Sequence, residues 1–343
     1  MRQPTIVLKA AFCAAALALT LVQPKAAAAQ EDSFYKGKTI NLLSHSAVGG
    51  SAGFYVRLIA RYMPEHIAGK PNMIAQEMPG GGGKRLSNFL YNVAPKDGTT
   101  LGALNQTLGL DQILSDGAEY DTSKFNWIGR LAATTGLVMI YHTAPATTIE
   151  EMKTKEIIFA GSGKASQAYM IPTMMRNLLG LKTKVVIGYN GSGAIYLAME
   201  RGEVHARTGA VETILASHPD WLEKGIIKTP AELTLEDTPS IPGVISLRSL
   251  AKTDADREIL DLIASYTAIG IGYAAPPGLP PARVATLRRA FDATMKDERL
   301  LADIEKSKME LSTATGEHLQ DVTKMFANVS PELLDRTKKA LEW

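Results

Sequence analysis

Two rhythms of apolar residues alternate along this chain. Short runs such as Thr39-Ile40-Asn41-Leu42-Leu43 have the length of a buried strand, and each is followed by a stretch whose apolar members recur every three or four positions. After the first run comes the loop Ser44 to Gly53, and then Val56, Leu58, Ile59, Tyr62 and Met63 return at helical spacing as far as Pro64. The next unit reads as strand Asn72 to Glu77, turn Pro79 to Gly83, helix Lys84 to Val93 and strand Thr99 to Leu104.

The middle of the chain has the same grammar. Leu137 to Tyr141 and Glu156 to Ala160 read as strands, and the second leads through Gly161-Ser162-Gly163-Lys164-Ala165-Ser166 into a helix from Gln167 to Leu179. Val185 to Ile187 leads through Gly188-Tyr189-Asn190-Gly191-Ser192-Gly193 into a helix from Ala194 to Arg201, followed by strand Val204 to Thr208. Strands alternating with helices imply an α/β protein with mostly parallel sheets flanked by helices. Toward the C-terminus Val284, Leu287, Phe291 and Met295 form one helical stripe, and Leu300, Ile304, Leu319, Val322 and Phe326 continue it in separate helices. Met170, Met174 and Met175 share one helix and read as core filling.

Composition changes the picture mainly at the N-terminus. Arg2 and Lys9 precede a stretch from Ala10 to Val22 that is apolar apart from Thr20, about 13 residues against the ~20 a spanning helix needs. With Ala27-Ala28-Ala29 ahead of Gln30, residues 1–29 read as a secretory signal peptide, which places the protein in the periplasm. The single cysteine, Cys13, lies inside that signal, so the exported chain has no disulfide, cysteine nucleophile or cysteine-bound zinc, and Phe12 before it argues against lipoprotein processing. Without Arg2, Lys9 and Lys25 there remain 34 basic and 35 acidic residues, which leaves no electrostatic footprint for nucleic acid.

Four glycine-rich turns each precede a helix. The first N–H groups of a helix have no partner within it, and glycine lets a ligand approach the backbone closely. With the helix dipole, such an end holds an anion through backbone amides, although a single such loop is more often just a tight turn. In open α/β sheets the ligand crevice lies beyond the carboxyl ends of the strands, where these strand assignments predict that all four loops point. The candidate ligand contacts are Ser46, Val48, Gly49, Gly50, Ser51 and Ala52 in the first loop, Gly81 and Gly82 in the second, Ser162, Gly163, Ala165 and Ser166 in the third, and Tyr189, Asn190, Gly191 and Ser192 in the fourth. Tyr189 either covers the ligand or packs its turn. Asn105 and Gln106, just past a strand, either bond a ligand or cap neighbouring backbone.

The order and spelling of these segments resemble the periplasmic receptors of tripartite tricarboxylate transporters, the TctC or Bug family. The matching segments are Tyr35-Lys36-Gly37-Lys38-Thr39-Ile40, the first glycine loop with Arg57-Leu58-Ile59-Ala60, Pro79 to Gly83 with Ala94 to Leu101, Tyr120-Asp121, Gly161-Ser162-Gly163, Gly188 to Gly193 with Gly202-Glu203-Val204, and Ala275 to Pro280. The resemblance covers nearly the whole exported chain. It implies a two-lobed, type II-like periplasmic binding protein with a cleft between lobes, the first lobe taking 34–134 and 268–343 and the second 135–267. It also implies a monomeric receptor that captures a small organic carboxylate and delivers it to transporter subunits in the membrane.

Three departures from the family pattern concern the ligand. Ala52-Gly53 stand where Thr-Asp is common, which removes an aspartate and leaves Phe54 and Tyr55 to offer an aromatic wall. Lys84 and Arg207 stand where uncharged residues are usual, each either a charge partner for a carboxylate or a solvated surface cation.

An enzyme is the contrasting class. Ser44-His45-Ser46 sets hydroxyls beside an imidazole, but neighbours at a strand end point to opposite faces, and there is no Gly-x-Ser-x-Gly elbow for a hydrolase. The six histidines form no His-Glu-x-x-His or other close pair, and no phosphate-loop or dinucleotide pattern is complete, so neither metal nor cofactor is expected. A receptor that signals to a membrane sensor kinase has the same sequence features as one that serves a transporter.

Overall fold

The first apolar run forms Thr39–Ser44 (β1), flanked on both sides by parallel partners, Asn72–Glu77 (β2) and Thr100–Ala103 (β3). This is a computed structural model, and it describes residues 34–46, 51–235, 241–307, 309 and 311–343. The expected signal peptide, 1–29, and the candidate contacts Val48, Gly49 and Gly50 lie outside the described residues. Asn126–Arg130 (β4), Gly272–Ala275 (β12) and Ala314–Thr315 (β13) complete a six-stranded sheet in the order β13-β4-β12-β3-β1-β2.

The second sheet holds Gly136–Tyr141 (β5), Ile157–Gly161 (β6), Thr183–Ile187 (β7), Ala206–Gly209 (β8), Ala231–Leu233 (β10) and Ile245–Ser246 (β11), in the order β11-β10-β5-β8-β6-β7. Ile227–Lys228 (β9) is attached beside β5. Both sheets are mixed, where the alternation of strand and helix led us to expect mostly parallel ones. β1, β2 and β3 are parallel, as are β6, β7 and β8, while β12 runs against β3 and β4, and β5 against β8 and β10. The strands that reverse direction include those at which the chain enters or leaves a sheet. They are not joined to their neighbours by a strand–helix–strand crossover, so the rule that makes such units parallel does not govern them.

Eleven helices of seven or more residues occur in the described chain: Ser51–Tyr62 (α1), Lys84–Asn92 (α2), Leu108–Leu114 (α3), Gln167–Asn177 (α4), Ser192–Glu200 (α5), Val211–Ser217 (α6), Asp254–Ala264 (α7), Pro281–Thr294 (α8), Glu298–Lys306 (α9), Gly316–Lys324 (α10) and Pro331–Leu341 (α11). Met170, Met174 and Met175 of α4 are fully buried, as their spacing suggested, and pack with Phe159 of β6. Burying each such side chain contributes about 2 kcal/mol.

The two crossings between sheets lie side by side. Leu131 N donates to Ile271 O at 3.1 Å and Ile271 N to Ala132 O at 2.8 Å, which ties the outgoing and returning segments together. Gly270, at φ +54°, is required there, because a Cβ on it would lie 2.3 Å from the Ala132 carbonyl oxygen.

A further passage was not foreseen. α11 packs on α4 and α7, beside the second sheet, as well as on α3. Asn177 Nδ2 donates to Ala340 O at 2.8 Å, Arg176 pairs with Glu342 at 2.6 Å, and Arg336 pairs with Glu258 at 2.6 Å. The end of the segment expected to stay with the first lobe is therefore fastened to elements of the second.

Candidate functional site

Beyond the carboxyl ends of β1, β2 and β3 on one side, and of β6 and β7 on the other, lies a cavity of about 300 Å³ lined by both sheets' loops. Three helices open onto it. α2 begins after Gly83, α4 after Ser166 and α5 after Gly191, and none of the three has a side-chain cap. Four other helices are capped in the ordinary way, with Thr253, Asp297, Thr315 and Ser330 each accepting from an early backbone N–H, while α3, α6 and α8 also lack a side-chain cap. At the three ends that open onto the cavity no side chain occupies the first N–H groups, and those groups with the helix dipoles favour an anion.

Glycine makes these approaches possible. Gly80, Gly81, Gly82 and Gly83 all have positive φ, from +59° to +140°, and a Cβ on Gly82 would sit 3.1 Å from the Cβ of Ala165 on the opposite wall. Gly163 likewise abuts the backbone of Gly82, and Thr107 Oγ1 donates to Ala165 O at 2.6 Å. Asn105 donates through its amide to Gly82 O and through Oδ1 accepts from Thr107 N at 3.2 Å, which holds this junction in register.

A smaller cavity of about 120 Å³ adjoins the first toward the crossing strands. The two share His45, Ser46, Gln106, Gln167, Gly191, Ser192 and Arg207, and the smaller adds Ala52, Thr134, Ala210, Thr213 and Ile271. No aspartate or glutamate lines either cavity among the described residues.

Arg207, on β8, is the only arginine or lysine among these lining residues, and it is 7% exposed. Its Nε and Nη1 are buried with no hydrogen-bond partner among the described residues. The guanidinium carbon lies 5.0 Å from the ring centre of Tyr196, a cation–π contact from α5. Burial pushes the Tyr196 hydroxyl's pKa up and the Arg207 charge pulls it back, yet the hydroxyl forms no well-aligned hydrogen bond among the described residues. A Cβ on Gly209 would fall 2.6 Å from Nη2, so glycine two residues on leaves room for the guanidinium. The Ser46 Oγ and Gln167 Oε1 atoms are buried and have no hydrogen-bond partner among the described residues either.

His45 contacts Ala103 O through Nδ1 at 3.1 Å. A carbonyl only accepts, so Nδ1 carries the proton and Nε2 presents a lone pair. The ring is partly open to the cleft but otherwise enclosed, and desolvation pushes its pKa below the usual histidine value despite the Ala103 bond. Ser44 Oγ donates to Ser46 O at 3.0 Å, so no hydroxyl–imidazole pair forms. Among the described residues no group of three His, Cys, Asp or Glu side chains could hold a metal.

Of the candidate contacts, Ser46, Gly81, Gly82, Asn105, Gln106, Ser162, Ser166, Tyr189, Asn190, Gly191, Ser192 and Arg207 line the larger cavity and Ala52 the smaller. Gly163 and Ala165 form the junction between walls, and Ser51 begins α1. Lys84 turns away and pairs with the buried Asp111 at 3.2 Å, also reaching Ser115 Oγ. Phe54 lines a separate surface depression with Arg57, Leu58, Arg61, Asp303, Lys306 and Ser307, and Tyr55 is buried in the core, so neither builds an aromatic wall at the cleft. Gln167 and Thr208 were missed, although Gln167 is the first residue of a helix behind a glycine turn. Thr134 and Ile271 belong to the crossings, for which the sequence carries no comparable signal.

No family model matches the chain, and no curated protein matches it. Solved structures do. The periplasmic binding protein BugD is similar with a TM-score of 0.68 at 19% identity, over 89% of this chain and 98% of its own. MatC from Rhodopseudomonas palustris, with bound malate, gives 0.65 at 19% identity over 89% and 99% of the two chains. A TctC solute binding protein from Polaromonas gives 0.58 at 20% identity over 88% and 99%. Two of the three carry the names to which the sequence motifs pointed. The chain has their fold, two α/β lobes each built on a mixed sheet flanked by helices.

Proposed function

We propose that this chain is a periplasmic receptor that closes its two lobes on a small organic carboxylate and hands it, unchanged, to a membrane transporter of the tripartite tricarboxylate type. The observation that carries this reading is the charge pattern of the cleft. Three uncapped helix ends and one buried guanidinium converge on a cavity with no acidic residue among the described residues of its lining. Such a site is costly without an anion and stabilised with one, because a buried charge without a partner is penalised strongly.

The malate bound by MatC, on the same fold, supports the carboxylate class. Ser44 Oγ is engaged with Ser46 O and the His45 ring with Ala103 O, which supports binding without chemistry. The cavity of about 300 Å³ suits a small metabolite. Closure follows if the ligand touches both walls, since contacts made only in the closed form shift the population toward it.

The test is a thermal-shift screen of the chain beginning at Gln30 against aliphatic and aromatic acids, amino acids and sugars. Saturable stabilisation by an acid, with no product formed, is the expected result. Stabilisation by a sugar and by no acid would sink the proposal.

A further inference from the structure

Arg207 and His45 together say more about the ligand than that it is an anion, and this step rests on the receptor reading above. Four buried polar atoms in the seam between the two cavities have no partner among the described residues: Ser46 Oγ, Gln167 Oε1 and Arg207 Nε and Nη1. Structural guanidinium groups are normally consumed by carboxylates or carbonyls, whereas this one lies against Tyr196, its ring and its hydroxyl, with no carboxylate among the described residues lining the cavities. Beside it are acceptors, the Gln167 oxygen and the His45 Nε2 lone pair, which no carboxylate would approach by choice. The seam thus offers one fixed positive charge for an acid group and neutral acceptors for a hydrogen-bond donor.

We infer that Arg207 is the side-chain anchor that selects the ligand, a hydroxylated organic acid whose carboxylate pairs with the guanidinium while its hydroxyl donates to His45 Nε2. The alternative donor, an ammonium group, is disfavoured: an amino acid would bring its cation near Arg207 with no aspartate or glutamate among the described lining residues to receive it. The α5 end beside Gly191 and Ser192 supports the same carboxylate or takes a second one, so hydroxylated mono- and diacids both satisfy the geometry.

The experiment compares calorimetric affinities for matched pairs, propionate with lactate, succinate with malate, and glutarate with 2-hydroxyglutarate, in the wild type, Arg207→Met, Arg207→Lys and His45→Phe. Expected is a preference of about tenfold or more for the hydroxylated member of at least one pair, because a site built to bond a hydroxyl leaves polar groups unpaired without it. That preference disappears in His45→Phe. Arg207→Met loses about a hundredfold in affinity and Arg207→Lys clearly less, while the ligand-free melting temperature of Arg207→Met stays level or rises, because an unpaired buried charge has been removed. A merely structural arginine gives the opposite signature, a lower melting temperature with affinity retained, which overturns the anchor. Equal affinity within every pair overturns the assignment of a hydroxyl to His45. If acids bind the wild type and Arg207→Met equally well, the inference fails and the receptor reading stands. If no acid binds the wild type, the receptor reading itself has failed.

Discussion

Gly82 and Gly81 are adjacent, similar in backbone conformation and different in what they face, which makes them a controlled pair for testing closure. Gly82 has φ +69° and Gly81 φ +59°, so an alanine at either costs about 1–2 kcal/mol of left-handed strain. The new methyl groups meet different surroundings. At Gly81 the nearest atom is Lys84 Cβ at 3.4 Å, an ordinary contact within the same turn. At Gly82 the Cβ lies 3.1 Å from Ala165 Cβ and 3.2 Å from both Ala165 C and Ser166 N, all on the opposite wall. Two of those three atoms are backbone, so they yield only if the lobes part. Overpacking of this kind costs about 1–3 kcal/mol, and here it falls on the closed form alone.

Gly82→Ala should therefore weaken ligand affinity by about 5- to 150-fold. Gly81→Ala should leave affinity within about threefold, the strain being common to open and closed forms. Both should lose a similar amount of ligand-free thermal stability. The assay is calorimetric titration with the best acid from the screen, accompanied by melting curves. Equal affinities of the two variants would refute the claim that Gly82 and Ala165 meet across a closing cleft.

Three other outcomes follow from the described contacts. Lys84→Met should lower stability by about 2 kcal/mol in denaturant titration, because it strips the cation from Asp111, whose side chain is 2% exposed, while that of Lys84 at 26% lessens the loss; a variant as stable as the wild type contradicts the pairing. Burial lowers the pKa of His45, His205 and His218, so the unfolded chain takes up protons first; melting temperature should hold above pH about 6.5 and fall as pH drops below it, and a level profile down to pH 5 counts against buried neutral rings. Deleting residues 331–343 should cost about 2–4 kcal/mol by uncovering the faces of α4 and α7 against which Ala340 and Leu341 are buried; an unchanged denaturation midpoint would show that α11 holds nothing.

Most of the site could be read from the sequence because glycine turns are local signals. Pro79 to Gly83, Gly161 to Ser166 and Gly188 to Gly193 each end a strand and start a helix, and those loops line the cavity. What could not be read depends on partners distant in sequence or on a helix phase. Lys84 is drawn off by Asp111, a residue 27 positions away that no local pattern connects to it. Phe54 follows Ala52 by two positions, about 200° around α1, so it faces outward while Ala52, Tyr55, Val56 and Ile59 turn inward. The antiparallel strands escaped notice for a similar reason. Gly272-Tyr273-Ala274-Ala275 is buried throughout and too short for alternation to appear, and its direction is set by where the chain re-enters the sheet. Arg207 was legible as a departure from a family pattern, but its burial, its missing partner and the tyrosine beside it are tertiary facts.

The most direct test of the central claim is equilibrium titration of the chain from Gln30 with the acid that most raises its melting temperature, followed by mass spectrometry of the recovered ligand. Reversible binding of one acid molecule per chain, recovered unaltered, with affinity reduced in both Gly82→Ala and Arg207→Met, is the predicted result. Failure of every acid to bind, or recovery of a chemically changed product, would contradict it.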